Sequence, residues 1–151
     1  MEKKGPNILN ARAAGTWYAP KMVKGTAGKF DVIMDHSQDL GGTDMGPSPL
    51  EMVTAALIGC AGLTLGAIAK QMNFSFAGAE FEADGDVDIR GFMGQPGICR
   101  HFCNFCGTLV IETEESEERL QELAEQIENR CPVFNLLHDA GVKTEIKWKK
   151  K

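Results

Sequence analysis

The chain has no block of basic residues apart from Lys147, Lys149, Lys150 and Lys151 at its end, and its formal net charge is −5. Neither the sign nor the layout suits a nucleic-acid partner, which needs a continuous positive face. There is no internal repeat and no low-complexity linker, so residues 1–151 read as one domain. A chain of that length can bury about 70% of its unfolded surface. No apolar leader is expected either, since Met1-Glu2-Lys3-Lys4 runs directly into Gly5, Pro6 and Asn7. The expectation is a cytoplasmic protein with no membrane partner. Histidine is scarce: His36, His101 and His138 are scattered and read as surface or half-buried side chains.

Cysteine is not scarce. The chain has five, and in a reducing compartment catalysis, metal binding or redox sensing explains them better than structural disulfides do. Cys60 lies in the small, apolar run Ala55-Ala-Leu-Ile-Gly-Cys60, and Cys131 ends an amphipathic stretch and is followed at once by Pro132. A thiol in an apolar helix and a second at a helix break are the parts required for reversible thiol chemistry.

The patterning is that of an α+β chain. Strands are expected over 8–18 and 29–36, with a turn at 25–28 and a loop from Asp39 to Pro47. Ser48-Pro49-Leu50-Glu51 then has an N-cap, a proline in the first turn and a capping-box glutamate, which predicts a helix start. The residues after it are apolar nearly all round, the pattern of a buried helix. Gly59 and Gly62 flank Cys60 and suit the close approach of another backbone. Phe81, Ala83, Val87 and Ile89 alternate with acids, predicting a strand with one wet face. Another strand follows over 105–112, then a helix over 116–130. A short helix reaches Asp139, and Val142, Thr144, Ile146 and Trp148 mark the last strand. Strands, long helix, strands, helix, strand is not a regular βαβ alternation.

Gly46-Pro-Ser-Pro-Leu-Glu51, the run ending in Gly59-Cys60, and Cys131-Pro-Val133 followed by an alternating strand together resemble the OsmC/Ohr family, its OsmC-like branch in particular. The resemblance implies an intertwined homodimer, with antiparallel sheets around two long central helices. It implies reduction of small hydrophobic organic hydroperoxides, with a dithiol such as a lipoyl group as reductant. Carried across, Cys60 is the attacking thiol and Cys131 the resolving one. The family's glutamate, ten residues before its first cysteine, falls on Leu50, which leaves Glu51 as the catalytic carboxylate. At about 100° per residue Glu51 is half a turn away from Cys60 on one helix, so it would serve a site across a dimer. For the family's activating arginine, Arg12, Lys21, Lys24 and Arg130 are the available cations.

Cys99-Arg-His-Phe-Cys103-Asn-Phe-Cys106 falls outside that pattern. Its spacing resembles the iron–sulfur loop of radical SAM enzymes, but no βαβ series follows to build the barrel those enzymes need. A zinc site on Cys99, Cys103 and Cys106 with His101 is one alternative, and a redox pair of Cys103 and Cys106 another. On an unbroken strand Cys103 and Cys106 would point to opposite faces, and reduced cysteines with no shared role are a further alternative. Two other functions therefore stay open beside peroxide reduction. One is a binding module for a hydrophobic ligand, and the other a metal-binding or redox-sensing protein using the 99–106 loop.

Overall fold

Glycine and alternation shape the first strands. In the computed structural model, which describes residues 6–151, β1 (Ala13–Tyr18), β2 (Met22–Ala27) and β3 (Phe30–Met34) form one antiparallel meander. The expected first strand starts later than residue 8, and β2 occupies much of the stretch read as a turn. Gly15 and Gly25 pair in the register, and a Cβ on Gly25 would lie 2.0 Å from the carbonyl oxygen of Ala14. A strand carrying Gly25 and Thr26 instead of alternating apolar residues leaves no period-2 signal to read. These strands belong to a compact unit that extends to Met52, and Val53–Lys151 form a second.

The loop after β3 is organised by Asp35, which has 0% exposure. Its carboxylate accepts from the backbone N–H groups of His36, Thr43 and Met45 and from the Thr43 hydroxyl. The Thr43 hydroxyl, followed by those backbone donors, holds its pKa down at about 2, against the opposing effect of burial. Gly42 is required here, since a Cβ would come within 1.9 Å of the His36 carbonyl oxygen.

α1 (Pro49–Met72) starts as the sequence predicts. Ser48 N–H donates to Glu51 Oε2 at 2.6 Å, and Glu51 N–H donates to Ser48 Oγ at 3.2 Å, a reciprocal capping box. The expectation of burial all round is not met within this chain. Leu57, Leu65, Ile68 and Ala69 are buried, whereas Leu63 is 82% exposed. By length and composition α1 could cross a membrane.

The second sheet has the order β4 (Gly78–Val87), β5 (Phe102–Glu112), β6 (Lys143–Lys150). β4 and β5 are antiparallel, but β6 runs parallel to β5, so the expectation of purely antiparallel sheets is corrected. The connection explains it: α3 (Glu117–Arg130) and α4 (Pro132–Asp139) carry the chain back before β6 begins, as a parallel crossover requires. A short α2 (Ile89–Phe92) lies between β4 and β5. α3 buries Leu120, Leu123, Ala124 and Ile127 along one stripe, against Leu65, Ile68, Phe74 and Ile111. A second cluster joins Leu57, Phe102, Phe105, Leu137 and Val142. Each fully buried Leu, Ile or Phe contributes roughly 1.5–3 kcal/mol.

Candidate functional site

α1 and the α3–α4 junction set the two singled-out thiols. Cys60 is half-buried on α1. Cys131 is the C-cap of α3 and the N-cap of α4, because Pro132 cannot continue α3 yet suits the first position of a new helix. It is 1% exposed. Burial raises its thiol pKa, and Cys60 pushes the same way as a hydrogen-bond partner and as a like charge. The backbone N–H groups of Phe134 and Val133, at the start of α4, pull in the opposite direction. The two thiols are thus immediate neighbours.

Beside Cys131 lies an apolar cavity of about 30 Å³, room for roughly one water. Leu57, Ile58 and Ala61 of α1 line one side, with Phe81, Leu109 and Trp148 from the sheet. Glu128 reaches the same cavity but is engaged, accepting from the Trp148 indole N–H at 2.8 Å.

The other sequence candidates fall elsewhere. The Glu51 carboxylate is engaged with Ser48, whose backbone N–H and hydroxyl lower its pKa. Arg130 donates to Gln71 Oε1 at 2.8 Å and so ties α3 to the end of α1. Lys21 Nζ donates to the Leu40 carbonyl oxygen, and Lys24 Nζ lies 5.8 Å from the centroid of the Tyr18 ring.

The 99–106 segment differs from its expected geometry. Val87 pairs with Phe102 and Asp86 with Asn104, so Cys103 is the extra residue of a β-bulge. The bulge resets the alternation. Phe102 and Phe105, three apart, both turn inward with ring centroids 4.5 Å apart, and Cys103 and Cys106 are both left exposed. Opposite faces for those two thiols is therefore corrected. Among the described residues, no three His, Cys, Asp or Glu side chains group as a metal ion would need. Cys99 Sγ instead lies 3.3 Å from His101 Nδ1, a pairing for which the sequence offered only the short spacing.

Comparison with known proteins supplies the family. The profile described as OsmC-like protein matches residues 41–147. An OsmC-like protein from Mycoplasma pneumoniae superposes with a TM-score of 0.80 at 15% identity, over 94% of this chain and 97% of that one. An organic hydroperoxide resistance protein from Elizabethkingia anophelis gives 0.74 at 15% identity, over 97% and 100%. The organic hydroperoxide resistance protein OhrB of Bacillus subtilis gives 0.61 at 20% identity, over 95% and 98%. No curated protein sequence matches the chain. A profile match over most of the length, on a fold shared from end to end with such structures, makes this chain a member of the OsmC-like protein family.

Proposed function

We propose that the protein is a cytoplasmic thiol peroxidase that reduces small hydrophobic organic hydroperoxides through Cys60 and Cys131. The observation that carries this reading is the juxtaposition of the two thiols, of which Cys131 lines an apolar cavity. Cys60, the more accessible of the two, attacks as thiolate. Its sulfur bonds to the terminal peroxide oxygen, the O–O bond breaks, and the alkoxide takes a proton and leaves as the alcohol. The Cys60 sulfenic acid then condenses with the Cys131 thiol, releasing water and forming a disulfide. An external dithiol, such as a lipoyl group, returns the pair to two thiols by exchange. A neutral Cys131, kept protonated by burial, suits a resolving thiol that waits for the sulfenic acid. Names of structural relatives that carry organic hydroperoxide resistance support the substrate class.

The working form in this reading is a homodimer. Ala55, Ala56, Gly59, Leu63, Gly66 and Ala67 form an exposed stripe of α1, and Gly59 and Gly66 have nothing within 4 Å of where a Cβ would stand. Small residues with one protruding leucine favour the close approach of a second helix. The β1–β2–β3 sheet has no buried apolar residue and leaves Trp17, Tyr18 and Phe30 exposed. A sheet of that kind needs a cover, and the symmetric partner supplies one. Glu51 acts here as a positioning residue, holding the start of the helix that carries Cys60.

Peroxide consumption with cumene hydroperoxide and a dihydrolipoyl reductant tests the assignment. Cys60→Ser is expected to abolish turnover. Cys131→Ser is expected to permit about one equivalent of peroxide consumption and then stop. Full turnover by Cys60→Ser would move the chemistry to another thiol.

A further inference from the structure

We propose, resting on the thiol-peroxidase reading of Cys60 and Cys131, that the reducing dithiol attacks the Cys60 sulfur of their disulfide and that Cys131 is the sulfur that leaves. Access separates the two sulfurs. Cys60 is half-buried, whereas Cys131 is 1% exposed. That burial comes from the chain's own residues, so a second copy cannot relieve it. The apolar cavity that Cys131 lines has room for roughly one water, too little for a thiol on a carbon chain. Cys131 is also held in place. Its backbone N–H donates to the Ile127 carbonyl oxygen at 2.8 Å, and its carbonyl oxygen accepts from the Asn135 N–H at 3.0 Å. The Asn135 side-chain amide donates to the same carbonyl and to that of Glu128, each at 2.9 Å. With the backbone tied on both sides, the α3–α4 junction cannot shift to bring this sulfur to solvent without breaking those bonds.

The exchange then runs in one direction. One thiolate of the dithiol bonds to the Cys60 sulfur, the Cys60–Cys131 bond breaks, and its electron pair passes to the Cys131 sulfur. The backbone N–H groups of Phe134 and Val133, in the first turn of α4, donate to that sulfur and receive the developing charge. Cys131 then takes up a proton. Burial raises its pKa, so the released thiol stays neutral and is a weak nucleophile towards the new mixed disulfide. The second thiolate of the dithiol attacks the sulfur of its own chain, closing a cyclic disulfide and releasing Cys60 as thiolate. The dithiol loses two electrons, and the Cys60–Cys131 pair gains them.

The experiment oxidises the full reduced chain with one equivalent of diamide, which joins neighbouring thiols without peroxide chemistry. One equivalent of 2-mercaptoethanol is added, the mixture is quenched with acid, and the peptides are mapped. The adduct is expected on Cys60 with Cys131 as the free thiol, in about tenfold excess over the reverse arrangement, since access governs which sulfur is attacked. Glutathione, a bulkier monothiol, should give the same site. An adduct on Cys131, or equal amounts on both, would overturn the assignment. An internal disulfide that re-forms before any adduct is captured would overturn the passive role given to the released Cys131. A parallel sample receives one equivalent of cumene hydroperoxide in place of diamide. If only diamide forms the disulfide, the peroxidase reading fails, while the position of the adduct still decides the point of attack. A pair that neither oxidant joins would overturn both.

Discussion

Asp35 keeps its charge with no exposed surface because three backbone donors and a hydroxyl meet it. Its pKa is held down at about 2, below the ordinary 3.8, so between those values the unfolded chain binds the proton more readily than the folded one. The stabilisation is therefore complete above the ordinary value and is lost as pH falls through it towards about 2. Asp35→Asn should be less stable at neutral pH and should show a flatter loss of stability below pH 4, read by urea unfolding across the acid range. An equally steep loss in the variant would contradict this account. In the sequence Asp35 passes for one more polar residue of an alternating strand. Its partners lie eight and ten residues on, in a loop, and no local period reveals a bond of that reach. Cys60 and Cys131, by contrast, were legible as residues, since their flanking small residues and proline are chemical signals. Their adjacency was not, because it depends on how α1 and the α3–α4 junction pack.

Capping chemistry made α1 legible, and Pro132 made the break between α3 and α4 legible. Both are local devices whose residues are adjacent in sequence. The bulge in β5 was not legible, because it exists only relative to β4. Its inward pair, Phe102 and Phe105, stands over Gly85, where a Cβ would come within 2.7 Å of the Phe105 ring and 2.9 Å of the Phe102 ring. Gly85→Ala should therefore cost about 1–3 kcal/mol, the range of overpacking a filled site, measured by chemical denaturation. A change below about 0.5 kcal/mol would show that the two rings move aside freely. The parallel direction of β6 was hidden for a similar reason. Alternation shows which face a strand buries but not which way it runs.

At the scale of the whole molecule, a helix that reads as buried on every side is buried on one. The chain with its own contacts leaves Leu63, Gly59 and Gly66 bare, and these favour a second copy. Sedimentation should give twice the chain mass of 16.4 kDa. Leu63→Glu, at a site the single chain leaves exposed, should shift the protein towards monomer while the helical signal is retained. A monomeric wild type, or a dimer indifferent to this substitution, would place the interface elsewhere. The central claim is that Cys60 and Cys131 act together, and one measurement bears on it most directly. Fully reduced protein is treated with one equivalent of cumene hydroperoxide, alkylated and mapped by mass spectrometry. The predicted result is a Cys60–Cys131 disulfide formed within a single chain. Both thiols remaining reduced while Cys99, Cys103 or Cys106 is oxidised would contradict it.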